Sequence, residues 1–78
     1  MTEHRIYDVY KGLRMWNYMT CEKNEAGRET WRINVEIKRG EEVLIPVVPG
    51  TETYVDRGYA QIAGKALGMK LVDEAGIS

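Results

Sequence analysis

The sequence has one cysteine, Cys21, one histidine, His4, two prolines and no phenylalanine in 78 residues. A single cysteine forms no intrachain disulfide, and with only His4 beside it there is no set of zinc ligands. No apolar run approaches the ~20 residues of a membrane-spanning helix, and no apolar signal segment follows Met1. Runs of like charge are missing too, so neither a basic arm nor an acidic tail stands out. Gly58, Gly64 and Gly68 are spaced six and four apart in what reads as a helix, not in the strand-to-helix turn of a phosphate-binding loop. These gaps predict a soluble, cytoplasmic protein with no metal, no cofactor, no membrane and no small-molecule substrate.

The catalytic inventory is equally thin. His4 lies near the terminus, where a solvated ring is expected. Cys21 has only Lys23 nearby to lower its pKa. A Ser-His-Asp arrangement would have to use Ser78 and His4, from opposite ends of the chain. Adjacent carboxylates occur at Glu41-Glu42, in a turn, and at Asp73-Glu74, in the C-terminal segment, where solvated surface is the expected role. Catalysis needs a positioned acid, base or nucleophile in an enclosed site, and the expectation is therefore a protein that is not an enzyme.

What is present is enough to fold. The chain is 44% hydrophobic and 29% charged with a formal net charge of -1, too apolar and too weakly charged for a disordered segment. Its length fits one domain, near the lower size limit for a core without disulfides or metals.

Trp31, Ile33, Val35 and Ile37 alternate with Arg32, Asn34, Glu36 and Lys38. This period of two, in β-branched and aromatic residues, predicts a half-buried strand. Asn24-Glu25-Ala26-Gly27 before it reads as a hairpin loop, and Leu13 to Glu22 as the partner strand. After a turn at Arg39-Gly40-Glu41, residues 42–48 give a third strand, and Pro46 restricts it to a sheet edge. From about Tyr54 to Leu67, apolar Val55, Tyr59, Ile62, Ala63, Ala66 and Leu67 recur at helical spacing. Thr51 or Thr53 is placed to cap that helix and Gly68 to end it, with Ala60 and Gly64 on a ridge suited to close approach to the sheet. Residues 69–78 form a tail that packs or frays. At the N-terminus, Ile6, Val9, Tyr10 and Leu13 fit a short helix, while residues 6–10 also suit a strand; the helix is preferred. The expected fold is α+β: a three-stranded antiparallel meander over residues 13–48 on a C-terminal helix, with a short N-terminal helix.

One sheet face is left without a helix, and the first hairpin's register decides which. A four-residue loop at 24–27 puts Trp16 and Tyr18 in the core. A loop one residue longer or shorter buries Met15, Met19 and Cys21, and turns Arg14, Trp16 and Tyr18 outward beside Arg32 and Asn34. The second arrangement is preferred because Met and Cys bury readily. Arg14, Trp16, Tyr18, Arg32 and Asn34 then form the candidate site for a protein partner, aromatic and arginine side chains being enriched at interfaces. Terminal segments covering this face, or a homodimer formed through it, are the competing arrangements.

Charge gives the rival reading. Residues 1–40 carry a balance of +2 and residues 41–78 one of -3. A nucleic-acid surface, for duplex RNA or DNA, would have to be built from Arg14, Lys23, Arg28, Arg32, Lys38 and Arg39, which alternate with Glu22, Glu25, Glu29 and Glu36.

The stretch from Gly27 to Leu67 resembles the second half of a double-stranded RNA-binding domain. It has the alternating strand 31–37, the turn at Gly40, the short strand Val43-Leu44-Ile45, and a helix rich in alanine at Ala60, Ala63 and Ala66. The resemblance implies an α-β-β-β-α order. The family's phosphate-binding lysine cluster, at the start of the last helix, is replaced by Thr53-Tyr54-Val55-Asp56-Arg57-Gly58, so no RNA-contacting residue carries over. Family members without that cluster use the fold for protein contacts or dimerisation. The expected function is thus a small binding module for a protein partner. On grounds of size and economy, it would suit an inhibitor that a phage or mobile element directs at a host defence complex.

Overall fold

Four strands and one helix follow one another in the computed structural model, which describes residues 2–77. They are β1 (Thr2–Tyr10), β2 (Leu13–Lys23), β3 (Glu29–Arg39), β4 (Glu42–Pro49) and α1 (Arg57–Ala75). The strands pair antiparallel in chain order, β1-β2-β3-β4. The fold is α+β, but the sheet has four strands, and the segment expected as an N-terminal helix is β1. The helix–strand–strand–strand–helix order behind the RNA-binding-domain resemblance is therefore absent.

The turn after β1 explains the strand. Lys11 (φ 53°) and Gly12 (φ 75°) both adopt positive φ, the requirement of a two-residue type I′ hairpin turn, and this twist folds residues 2–10 directly onto β2. The β2–β3 loop holds five residues, because Lys23 pairs with Glu29. Asn24 sets that length: its side-chain oxygen accepts from the backbone N–H of Ala26 (2.9 Å) and of Arg28 (3.0 Å). Gly27 supplies the one positive φ of the loop (80°). Cys21 then faces Trp31 and Met19 faces Ile33, which turns Met15, Met19 and Cys21 towards the helix. Pro46 lies on β4, an edge strand, whose pairing with β3 is irregular between Val35 and Ile37 and again between Ile37 and Lys38.

The helix starts later and ends later than its apolar spacing predicts. Asp56, and neither Thr51 nor Thr53, is the cap, accepting from the Tyr59 N–H at 2.9 Å. Tyr54 belongs instead to the sheet's margin, where it exchanges two 2.8 Å backbone bonds with Trp31. Gly68 is buried inside the helix, and the left-handed terminator is Gly76 (φ 67°), with Gly76 N–H bonded to Asp73 and Ile77 N–H to Val72. Most of the expected tail is therefore helix and core.

The ridge that meets the sheet is Ala60, Gly64, Gly68 and Val72, all buried, at intervals of four. Such small residues bring the helix axis close. A Cβ on Gly64 would collide with the Asn17 amide, and one on Gly68 would lie 2.9 Å from the Met15 sulfur. Val55, Tyr59 and Ile62, expected against the sheet, are exposed on the outside of the molecule. The core has two lobes under the helix. Leu13, Met15, Val35, Ile37 and Val72 form one, and Met19, Cys21, Trp31, Ile33 and Ala60 the other, with Leu67 touching both. At ~1.5–3 kcal/mol for each large side chain buried, these lobes supply most of the driving force.

Candidate functional site

Because side chains alternate across a strand, the residues between the buried ones of β2 and β3 share the face that no helix covers. The register sets Arg14 beside Lys38, Trp16 beside Glu36, Tyr18 beside Asn34 and Thr20 beside Arg32. All five residues of the candidate protein site, Arg14, Trp16, Tyr18, Arg32 and Asn34, stand on this face. The strand that periodicity did not reveal enlarges it: β1 adds Glu3, Arg5, Tyr7 and Val9 in register with Thr20, Tyr18, Trp16 and Arg14. Across the sheet, β4 adds Val43, opposite Lys38, and exposed Val47. The signal that could have exposed β1 is Gly12, one residue before a strand.

At the centre lies a connected aromatic row. The rings of Tyr7 and Trp16 are 4.9 Å apart at 47°, and those of Trp16 and Tyr18 are 6.3 Å apart and nearly parallel. The Arg14 guanidinium sits 5.0 Å from the centre of the Tyr7 ring, a cation–π geometry. The Tyr18 hydroxyl donates to Glu36 at 2.7 Å, and Glu36 also pairs with Lys38 at 3.6 Å. Burial, reinforced by the Glu36 hydrogen bond, pushes the Tyr18 hydroxyl above its ordinary pKa. Ring contacts and the Glu36 bond hold these side chains against one another.

The basic set proposed for nucleic acid is not brought together. Arg14, Arg32 and Lys38 are on the open face, whereas Lys23 and Arg28 flank the β2–β3 loop and Arg39 opens the β3–β4 turn at the other end. At ~3.3 Å per residue, Arg28 lies roughly 30 Å along the strand from Lys38. Within the face, Arg5, Arg14, Arg32 and Lys38 are interleaved with Glu3, Glu22 and Glu36.

The groups considered for chemistry are occupied elsewhere. His4 is on the helix side, its ring 5.4 Å from that of Trp31. The buried Cys21 thiol donates to Glu29 at 3.1 Å, and that bond, with desolvation, pushes its pKa up, away from the reactive thiolate. Asp73 accepts from Lys11 at 2.7 Å and from the Tyr10 hydroxyl at 2.9 Å, and Glu74 pairs with Lys70 at 3.8 Å. Ser78 lies outside the described residues. A cleft of about 250 Å³ opens on the helix side between Ile33, Val48, Gly50, Tyr54, Leu67 and Lys70. Among the described residues no group of three or more His, Cys, Asp or Glu is placed to hold a metal ion. No helix among them is long and apolar enough to cross a membrane. Compared with known proteins, the chain matches no family model, no curated protein and no solved structure.

Proposed function

We propose that this chain is a non-enzymatic, cytoplasmic binding module that holds a protein partner on the helix-free face of its sheet. The observation that carries the reading is the uncovered row Tyr7–Trp16–Tyr18, pinned by Arg14 and Glu36. Preorganised aromatic side chains ringed by charge are how protein interfaces concentrate binding energy. Trp16 and Tyr7 act as anchors, Arg14 and Arg32 as charge-assisted donors to partner carboxylates or carbonyls, and Asn34 as a neutral polar contact. Exposed Val9, Val43 and Val47 extend the apolar area towards both edges. Mixed charge favours a protein over a nucleic acid. Neutralising several phosphates needs a patch of one sign, and here Glu36 lies next to Trp16 and Lys38. A larger complex, blocked by occupation of its surface as a phage or mobile-element inhibitor would block a host defence complex, is the class of partner we place first.

The test has two arms. Labelled duplex RNA and duplex DNA are titrated with the protein at low and moderate salt, with anisotropy as the readout. The expected result is no binding at either salt. Tight binding that collapses as salt rises would replace this reading with the nucleic-acid one. In the second arm, the wild type and the Trp16→Ala and Arg32→Ala variants are used as baits in a cell extract. A protein captured by the wild type and lost with both variants supports the open face, whereas undiminished capture by both removes it.

A further inference from the structure

The two edges of the sheet are built differently. β4 carries Pro46 and Pro49 and two breaks in its register, the devices by which sheets blunt an edge against pairing. β1 has neither a proline nor a break: its nine residues keep an uninterrupted one-to-one register from Thr2↔Cys21 to Tyr10↔Leu13, and its one acid on the helix side is Asp8. The turn shows which of its backbone groups point outward. Tyr10 and Leu13 flank a two-residue hairpin turn, and such a flanking pair exchanges both of its hydrogen bonds. Counting back in twos, His4, Ile6, Asp8 and Tyr10 bond to β2. Glu3, Arg5, Tyr7 and Val9 direct their N–H and C=O groups away from the sheet.

We propose that β1 pairs antiparallel with β1 of a second copy of this chain, with Ile6 on the two-fold axis, joining two sheets into one of eight strands. An axis perpendicular to the sheet keeps both helices on one face, so opposed residues share parity. Arg5 then faces the partner's Tyr7 and Glu3 faces the partner's Val9, and every outward-pointing backbone group of these four residues is satisfied. On the helix face, half-buried Ile6 meets the partner's Ile6, and His4 meets the partner's Asp8. On the open face, each arginine at position 5 lies against a tyrosine ring. Neighbouring registers lose this complementarity. Centring on Arg5 opposes two arginines, and centring on Asp8 opposes two aspartates. Centring on Tyr7 sets Ile6 against Asp8, and centring on His4 leaves Tyr7 and Val9 unpaired. The pairing stands whether or not the open face holds a protein partner, and it would place two aromatic rows side by side on one platform.

Sedimentation velocity across a wide concentration series tests it. The wild type is expected to reach the mass of two chains. Arg5→Pro removes an N–H that the monomer does not use, at an edge position where proline is tolerated; it is expected to keep the wild-type circular dichroism and to stay a monomer. The second measurement is crosslinking by Ile6→Cys in a Cys21→Ala background. Residues opposed on the axis in a non-hydrogen-bonded pair have Cα atoms about 4.5 Å apart, within disulfide range. Mild oxidation is therefore expected to give a covalent dimer, while Val9→Cys, opposite Glu3, gives none. Trp16→Ala is expected to leave the dimer intact, which separates this proposal from that for the open face. A wild type that stays monomeric at all concentrations overturns the proposal, as does a dimer that survives in folded Arg5→Pro. If Arg5→Pro does not fold, absence of the Ile6→Cys crosslink overturns it.

Discussion

β2 and β3 each present two rows of side chains from one stretch of backbone, and the rows have opposite fates. Leu13, Met15, Met19, Val35 and Ile37 are at most 2% exposed beneath the helix. Arg14, Trp16, Tyr18, Arg32 and Asn34, each next in sequence to a buried residue, lie on the uncovered side. Hydrophobicity chooses between them: the buried row is apolar apart from Asn17, while the open row sets Arg14, Arg32, Asn34, Glu36 and Lys38 around Trp16 and Tyr18. Shape then decides how closely the helix sits. Its contact ridge, Ala60-Gly64-Gly68-Val72, leaves room for Asn17 and Met15 to rise against its backbone. The helix carries small residues where the sheet carries larger ones.

The sharpest way to break this comparison is to truncate one residue from each row. Ile37→Ala, at a site with no exposure, is expected to cost ~2–5 kcal/mol by denaturant unfolding, the transfer loss plus the cavity. Arg32→Ala, on the open row of the same strand, is expected to stay within ~0.5 kcal/mol of the wild type. Equal losses would show that the open row is buried in solution, and the two-face description would fail.

Much of this was legible, and what was not has identifiable causes. β3 announces itself by alternation, and Pro46 confines β4 to an edge by chemistry. The five candidate site residues fall on one face because β2 and β3 alternate in step, once Asn24 fixes a five-residue loop. β1 was hidden by coincidence: Ile6, Val9, Tyr10 and Leu13 are spaced as on a helix, and Asp8 interrupts the inward row. Lys11, moreover, is an uncommon residue for positive φ, so the turn lacked its usual Asn-Gly signature. With β1 unseen, Arg5, Tyr7 and Val9 could not be assigned to the site. The helix misled for a related reason. Tyr59 and Ile62, with Val55 just before the cap, face outward, while three of the four residues on the ridge nearest the sheet, Ala60, Gly64 and Gly68, are small and carry little hydrophobicity.

A smaller effect sharpens the same point at the closest contact. Gly64→Ala gains ~1 kcal/mol of helix propensity but drives a methyl into Asn17, whose Nδ2 donates to the Ala60 carbonyl at 3.3 Å and whose buried Oδ1 meets no donor among the described residues. Overpacking costs ~1–3 kcal/mol, so the net change is expected to be destabilising, with a melting temperature lower by several degrees. In an Asn17→Ala background the obstruction is gone and the same substitution is expected to be neutral or stabilising. Gly58→Ala is the control, since its added Cβ would meet only the Asp56 carboxylate, at 3.2 Å. If Gly64→Ala costs the same with and without Asn17, the sheet and helix are not in contact there, and the small residues of the ridge do not set the close approach.

The smallest expected effect lies where the helix end is tied to the first hairpin. Asp73 accepts from Lys11 and from the Tyr10 hydroxyl across the β1–β2 turn, and these bonds, Lys11 first, hold its carboxyl below the ordinary carboxylate range. Lys11 is correspondingly pushed above the ordinary lysine value, chiefly by Asp73. A lowered acid contributes stability above its unfolded-state pKa and loses it as pH falls through the folded-state value. A raised base contributes below its unfolded-state pKa and loses it as pH rises through the folded-state value. Both contributions are therefore complete at neutral pH and fail at opposite ends of the scale. Both groups are solvent-exposed, which keeps the effect slight. Asp73→Asn is expected to melt slightly below the wild type at neutral pH, and the two melting curves should converge in acid once Asp73 is protonated. Curves that already coincide at neutral pH would mean that the carboxylate's charge is not what fastens this hairpin. The tie would then be the Tyr10 hydroxyl bond, which an asparagine oxygen can still accept.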